Sequence, residues 1–268
     1  MKLDERAVLR EKRSLSEDAF LLTFDGGRSA AAAPGQFTML RLCEPALVLR
    51  RPYSFCHLDS ENGRFTILVK TVGRGTRALA ALPPGEGVFC LGPLGTSFTL
   101  PPAGTRIVMV AGGVGIAPFV ALAQWLAREG RAGTVLLGGR RAADLYLRDD
   151  FERMGMEVYC ATEDGSAGTR GRVTALLHAA ISGTGPSALF SCGPSAMLAA
   201  VAVWARERAI PHQVAVERRM GCGMGCCLGC VVLTKKPSDE RAEYRRACTE
   251  GPVFDAAEIC WDRDLHPL

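Results

Sequence analysis

The stretch "RIVMVAGGVGIAPFVALAQWLAREG", residues 106–130, joins a β-branched run to an alanine- and leucine-rich run through glycines and a proline. It is long enough and apolar enough to be considered as a membrane span. Its centre, "AGGVGIAP", instead favours a strand, a tight turn and a helix that ends at Gly130. We therefore predict a soluble strand–turn–helix unit and no membrane segment here.

The same alternation of strand and helix continues to about residue 212. The predicted strands are "RIVMVAG" (106–112), "GTVLLGGR" (133–140), "MEVYCAT" (156–162) and "SALFSCG" (187–193). The predicted helices are "PFVALAQWLAREG" (118–130), "LRDDFERMG" (147–155), "VTALLHAAI" (173–181) and "PSAMLAAVAVWARERA" (194–209). This order predicts a parallel sheet, which binds its ligand beyond the carboxyl ends of the strands. The glycines at those ends are Gly112, Gly113, Gly115, Gly138, Gly139 and Gly193.

The part of the chain before this unit is typical of β-structure. Its short strand-like runs are "FTML" (37–40), "GRFTILVK" (63–70) and "GVFCL" (87–91), and no long helical period accompanies them. Several strands at this spacing predict a small closed barrel. We therefore divide the chain into a β-barrel over residues 1–102, a parallel α/β domain over 103–212 and a small cysteine-rich domain over 213–268.

The composition excludes several classes of function. Of the 268 residues, 48% are hydrophobic, which is enough to build packed cores. The net charge of +4 is spread along the chain, whereas nucleic-acid binders gather lysine and arginine on one face. The first twenty residues are charged throughout, so we expect no secretory signal and a reducing, cytoplasmic location.

The eleven cysteines fall into two groups. The scattered ones are Cys43, Cys56, Cys90, Cys160 and Cys192. Such thiols in a cytosolic protein are usually small buried apolar residues. The other six fall in the last 47 residues, four of them within "GCGMGCCLGC", residues 221–230. This second group requires a chemical explanation.

A cluster of this kind fits three types of site. A structural zinc site usually has two C-x2-C pairs, and only Cys227 and Cys230 form one here. A redox dithiol needs just one such pair and leaves Cys222 and Cys248 without a role. The plant-type [2Fe–2S] spacing, C-x4-C-x2-C with a distant fourth cysteine, matches Cys222, Cys227 and Cys230.

We favour the iron–sulfur interpretation, since interspersed glycines let the backbone wrap a cluster closely and direct N–H groups at sulfur. The fourth ligand is expected at Cys248, just before "EGPVF", rather than at Cys260. Cys226 is then the spare thiol. A competing register, C-x3-C-x3-C through Cys226, stays open.

Two further motifs lie in the barrel. In "RPYSF", residues 51–55, an arginine can clamp a phosphate, a tyrosine offers a flat face and a serine can hydrogen-bond a flavin nitrogen. The glycines and threonine of "VKTVGRGTRAL", residues 69–79, suit close backbone approach to a pyrophosphate. "GPLGTSF" follows at residues 92–98. In this order the motifs indicate a flavin site.

Together these motifs resemble the ferredoxin-reductase-like flavoproteins, with R-x-Y-S in the barrel, "AGGVGIAP" at 111–118 and "SCGP" at 191–194. With "ERRMGCGMGCCLGC" and "CTEGPVF" the whole chain resembles the electron-transfer subunits of class 1B dihydroorotate dehydrogenases. The resemblance implies one FAD and one [2Fe–2S] cluster, with NAD(H) as co-substrate. The implied cluster ligands are Cys222, Cys227, Cys230 and Cys248. The implied FAD-binding residues are Arg51, Pro52, Tyr53, Ser54, Leu68, Val69, Lys70, Gly75 and Thr76.

The resemblance also implies a role in pyrimidine biosynthesis. A partner subunit carrying FMN oxidises dihydroorotate, in an expected heterotetramer, and electrons pass through the cluster and FAD to NAD⁺. Ser54 is expected near the reactive flavin nitrogen and Cys192 near the nicotinamide. The expected nucleotide-binding residues are Gly112, Gly113, Gly115 and Gly193.

Three alternatives stay open. The same three-part layout also fits a flavin and iron–sulfur module of a hydrogenase or of a ferredoxin–NAD(P) reductase. The sequence does not separate these enzymes, because the substrate chemistry would lie on the partner subunit. An iron–sulfur redox sensor would need no nicotinamide domain. The pair Arg140–Arg141 would favour NADP if it reached a 2′-phosphate, and NAD is preferred on resemblance.

Overall fold

The computed structural model describes residues 4–43, 47–182, 185–235 and 241–262. The first part is a closed antiparallel barrel with the strand order β1-β2-β5-β4-β3-β6. Its strands are β1 (Asp4–Ser14), β2 (Ala19–Asp25), β3 (Phe37–Leu42), β4 (Arg51–Asp59), β5 (Arg64–Lys70) and β6 (Gly87–Leu94). The three barrel strands predicted from sequence are therefore confirmed.

Aromatic packing fills the barrel. Phe65 stacks on Phe24 with ring centroids 5.5 Å apart and meets Phe55 edge-on at 5.3 Å. All three rings are buried, and fully buried aromatic residues contribute much of the hydrophobic stabilisation of a small core.

The barrel also carries a helix that the sequence analysis did not anticipate, α1 (Arg74–Ala81). It has only eight residues, which is shorter than the window over which periodicity identifies a helix. The hydroxyl of Thr76 accepts hydrogen bonds from the N–H groups of Val72 (2.9 Å) and Gly73 (3.0 Å). These bonds satisfy donors that a helix start leaves free, which is why a helix begins here.

The second part is a sheet with the order β10-β9-β8-β7-β11-β12-β15. Its strands are β7 (Arg106–Gly112), β8 (Thr134–Gly139), β9 (Glu157–Thr162), β10 (Thr169–Arg170), β11 (Ser187–Cys192), β12 (His212–Ala215) and β15 (Val253–Asp255). The helices are α2 (Ala117–Arg128), α3 (Arg148–Arg153), α4 (Leu177–Ala180) and α5 (Ser195–Arg206). Neighbouring strands are parallel except for β15, which confirms the predicted βαβ architecture. The strand order reverses between β7 and β11, where such sheets bind ligands.

The sheet runs past residue 212, the limit proposed for this domain. β12 extends it beside β11, and β15 pairs antiparallel with β12, Val214 lying opposite Phe254. The remaining two strands, β13 (Val231–Lys235) and β14 (Ala242–Arg246), form a separate antiparallel ribbon. The C-terminal part is thus joined to the nucleotide sheet by backbone pairing, and the domain limits remain a proposal.

Among the described residues, no helix is both long and apolar enough to cross a membrane. The stretch at 107–127 instead forms β7, a 3-10 turn at Gly113–Ile116 and α2, as predicted.

Candidate functional site

The flavin motif lies on β4, in the middle of the barrel wall. Pro52 pairs with Met39 of β3, and Ser54 pairs with Phe37. The guanidinium group of Arg51 lies directly over Gly75, where a side chain of any size would collide with it. A cation and the N-terminal turn of α1 are thereby brought together, although they are 24 positions apart in sequence. Both attract anions, so this corner suits a diphosphate.

Thr76, one of the predicted flavin-binding residues, lies in the first turn of α1. Its hydroxyl is used within the chain, since it caps the start of α1 and also donates to the Gly73 carbonyl at 3.0 Å. It thereby shapes the first turn of α1.

Tyr53 provides a test of whether the site fits a flavin. Its hydroxyl is buried and has no hydrogen-bond partner among the described residues. Burial raises the pKa of Tyr53 to about 12, with Arg51 opposing the shift, so the hydroxyl keeps its proton. A buried phenol without a partner is costly unless a bound molecule accepts its proton, and a flavin nucleotide offers such acceptors. Ser54, the next residue, is half-buried.

The three predicted flavin-binding residues at the end of β5 differ in whether their side chains are accessible. Leu68 and Val69 are buried in the core and could meet a ligand only through their backbone. Lys70 forms an ion pair with Asp144 of the nucleotide domain, 3.0 Å from Nζ to Oδ1, and approaches Asp18 at 3.6 Å. It therefore joins the two domains at the edge of the flavin site. Sequence reasoning missed Asp144, for which the local sequence carries no signal.

The nucleotide side of the site is formed where β7 and β11 end together. Ala111 pairs with Cys192, which brings the predicted glycines to one place. Gly193 has φ +148°, and a Cβ there would lie 2.9 Å from the Gly112 nitrogen. A Cβ on Gly115 would lie 2.6 Å from the Cys192 carbonyl carbon. Gly113, at φ +54°, opens the turn with free space around it. At Gly115 and Gly193 the backbones approach so closely that only glycine fits.

Cys192 is a neutral thiol in this setting. It is buried, and burial raises its pKa well above the ordinary value, with the carboxylate of Glu217 adding to the shift. A protonated, buried thiol suits van der Waals contact with a planar ring better than nucleophilic attack. Sequence reasoning missed Glu217, which follows β12 at the same edge of the sheet.

The predicted cluster thiols come together as two pairs. Cys222 and Cys227 interact through their side chains, and so do Cys230 and Cys248, both of which are buried. Within the described part of the chain, no three cysteine, histidine or acidic side chains converge on one point. Two thiol pairs fit a two-iron cluster, in which each iron takes two of the four thiolates.

Backbone N–H groups point at the first pair. Sγ of Cys222 accepts hydrogen bonds from Met224 and Cys227, each at 3.4 Å. Burial acts to raise the pKa of Cys222, but these bonds lower it to about 6, which favours the thiolate that binds iron. The turn at residue 228 places Leu228 at φ +54°, a conformation that costs a non-glycine residue energy and is common at functional sites.

Cys226 and Cys260 stand apart from these pairs. Cys226 and Cys227 are both exposed, but Sγ of Cys227 lies beside Gly221 and Gly229, 3.4 and 3.7 Å from where their Cβ atoms would be, and the Cys227 N–H donates to Sγ of Cys222. Cys260 is tied to β13, its N–H donating to the Leu233 carbonyl at 3.0 Å. The contacts therefore favour Cys227 over Cys226 and Cys248 over Cys260.

Comparison with known proteins gives a consistent result along the chain. Family models match for an oxidoreductase FAD-binding domain over residues 6–98, an oxidoreductase NAD-binding domain over 109–202, and the iron-sulfur cluster binding domain of dihydroorotate dehydrogenase B over 217–260. The three matches follow the order of the three sites described above.

Whole-length relatives and structures agree with these matches. The "Dihydroorotate dehydrogenase B (NAD(+)), electron transfer subunit" of Bacillus caldolyticus is 39% identical over 259 residues, 95% of this chain and 98% of that protein. Its counterpart in Desulforamulus reducens is 36% identical over 92% of this chain and 95% of that protein. A solved structure of the NADH-dependent reduced ferredoxin-NADP oxidoreductase superposes with a TM-score of 0.86 at 28% identity, over 99% of this chain and 93% of the other.

Proposed function

We propose that this chain, which belongs to the family of dihydroorotate dehydrogenase B electron transfer subunits, carries electrons from dihydroorotate oxidation to NAD⁺. The observation that carries the proposal is the pairing of thiols on a domain anchored to a flavin-type barrel. The N–H of Thr96 donates to the Gly251 carbonyl at 2.7 Å, and its hydroxyl donates to the Val253 carbonyl at 3.1 Å. A site for one-electron transfer thus adjoins a site for two-electron transfer.

The proposed roles of the residues follow from their positions. A bound FAD accepts single electrons and delivers a hydride, so it connects a one-electron cluster with a nicotinamide. Arg51 and the first turn of α1 hold the diphosphate, and the Tyr53 hydroxyl donates to the bound nucleotide. Ser54 lies next along β4 and hydrogen-bonds the flavin ring. The neutral thiol of Cys192 contacts the nicotinamide without competing as a nucleophile.

The partner completes the reaction. We propose a catalytic subunit that carries FMN and oxidises dihydroorotate, joined to this chain in a cytoplasmic heterotetramer. The support is the name that the relatives carry, "electron transfer subunit", which implies a separate catalytic subunit. A ferredoxin–NAD(P) reductase module is the second candidate, favoured by the superposition on the NADH-dependent reduced ferredoxin-NADP oxidoreductase.

A direct experiment separates these functions. Acid release and chromatography of the purified protein should return FAD, and stopped-flow mixing should show NADH bleaching the flavin faster than NADPH does. Co-expression with a dihydroorotate dehydrogenase catalytic subunit should give dihydroorotate-dependent reduction of NAD⁺. Recovery of FMN or of no flavin would count against the proposal, and flavin that NADH leaves oxidised would favour a redox sensor. A faster reaction with NADPH would assign a 2′-phosphate contact to Arg140 and Arg141.

Arg51→Ala is expected to weaken FAD binding. The substitution removes a charge-assisted contact worth roughly 1.5–3 kcal/mol, which corresponds to about 10- to 150-fold in Kd. Fluorescence titration of the flavin-free protein measures the change. The matched control is Arg50→Ala, because the neighbouring guanidinium pairs instead with Asp4, 3.0 Å from Nη1 to Oδ1. Equal affinity in the two variants would exclude Arg51 from the flavin site.

A further inference from the structure

The loop that carries the first thiol pair lies directly on the barrel at Gly223. This glycine is buried and has φ +71°. A Cβ at its position would lie 2.5 Å from Cγ and 3.2 Å from Sδ of Met39, and 3.4 Å from Cδ1 of Leu94. The approach is closer than any side chain allows, so the contact depends on glycine itself.

The contact is made one strand away from the flavin motif. Met39 is on β3, completely buried, and pairs with Pro52 of β4 on one side and with Leu91 of β6 on the other. Gly223 directly follows Cys222, a member of the first thiol pair. The cluster loop therefore contacts β3, the strand next to the flavin motif, through the buried side chain of Met39.

The second thiol pair is anchored to the same barrel. Beyond Cys248, the carbonyl of Gly251 accepts the N–H of Thr96 at 2.7 Å. A Cβ on Gly95, at φ +75°, would lie 2.5 Å from Cδ of Pro252. The barrel thus holds both ends of the cluster site, and the cluster domain has little freedom to change its distance from the flavin.

The contact with the barrel distinguishes Gly223 from Gly225, the other glycine of the loop with a left-handed backbone. Gly225, at φ +85°, has Thr249 and Arg246 of its own domain as nearest neighbours, at 3.1 and 3.5 Å. Its left-handed backbone is a local requirement of the turn. The three atoms nearest to a Cβ on Gly223, by contrast, all belong to the barrel.

We propose that Gly223 and Met39 form a spacer contact that sets the distance between the iron–sulfur cluster and the flavin, and hence the rate at which electrons pass between them. The inference rests on the proposed function. Electron transfer slows steeply as two centres separate, so a loop displaced by one methyl group changes the rate without removing either centre. Gly223 and Met39 are positioning residues, since neither binds a cofactor.

Three variants of the holoprotein test the spacer contact. Gly223→Ala adds the methyl that meets Met39, and the double variant Met39→Ala/Gly223→Ala removes the two atoms it would meet most closely. Gly63→Ala is the matched control, because Gly63 has φ +64° and open space around it. It imposes the same left-handed strain on alanine far from the cluster. Comparing single and double variants isolates the coupling between the two positions.

Two measurements read out the distance. Stopped-flow absorbance after mixing with NADH records flavin bleaching and then cluster reduction in one trace, so the first step is an internal reference for the second. EPR of samples poised at one-electron reduction of the flavin records its magnetic coupling to the reduced cluster. The coupling reports separation and does not depend on turnover.

Gly223→Ala should slow cluster reduction severalfold relative to flavin bleaching and weaken the magnetic coupling, while the double variant recovers both and Gly63→Ala matches the unmodified protein. Unchanged transfer and coupling in Gly223→Ala would overturn the inference. If Gly223→Ala assembles no cluster, the double variant decides: recovery of a coupled cluster supports the spacer, and failure in both overturns it. Absence of FAD or of the cluster from the unmodified protein would instead refute the proposed function.

Discussion

Serine substitution of any one of the four proposed cluster thiols should abolish the EPR signal of the reduced [2Fe–2S] cluster. The four are Cys222, Cys227, Cys230 and Cys248. Each belongs to one of the two side-chain pairs, so losing one leaves an iron with a single strong protein ligand. Electron flow from the partner should stop, whereas NADH-to-dye activity, which uses the flavin alone, should continue.

The unpaired thiols provide the controls for this prediction. Cys226→Ala and Cys260→Ala should each keep the EPR signal and the coupled activity, because neither side chain belongs to a pair. Loss of the cluster in Cys226→Ala together with a normal cluster in Cys227→Ala would establish the alternative C-x3-C-x3-C register. A normal cluster in Cys248→Ser with loss in Cys260→Ser would reassign the fourth ligand.

Gly115→Ala is expected to abolish most of the NADH-driven bleaching while FAD stays bound. The new methyl would lie 2.6 Å from the Cys192 carbonyl carbon and 2.7 Å from the Gly193 nitrogen, and these backbone atoms can move only if β7 and β11 separate at their ends. Overpacking of this kind costs about 1–3 kcal/mol of stability. A misplacement of about 1 Å at a reacting site can cost roughly 100-fold in rate.

Stopped-flow bleaching measured over a range of NADH concentrations checks this prediction. The control is Gly130→Ala at the end of α2, where φ is +65° and the methyl meets open space. It carries a backbone penalty but leaves the strand ends alone, so its bleaching rate should equal that of the unmodified protein. A Gly115→Ala protein that bleaches at the full rate would show that the nicotinamide binds elsewhere.

Local patterns in the sequence were sufficient for most of the α/β domain. The β-branched and alanine-rich runs of β7 and α2 lie next to each other in the chain, and their periods differ, so strand and helix could be told apart. The short helix α1 was missed because its eight residues are too few for a periodic pattern to identify, and its start depends on hydrogen bonds to Thr76. β1 was missed as well, since apart from Ala7 and Leu9 its residues lie partly or largely exposed in the barrel wall.

The sequence by itself determined which chemistry this chain can support, because cysteine spacing and the flavin motif are properties of neighbouring residues. The tertiary structure alone decided how those groups meet: Arg51 over Gly75, and Gly223 against Met39. These contacts join residues distant in the chain. Their geometry arises from barrel closure, strand pairing and core packing, which no local pattern of residues encodes.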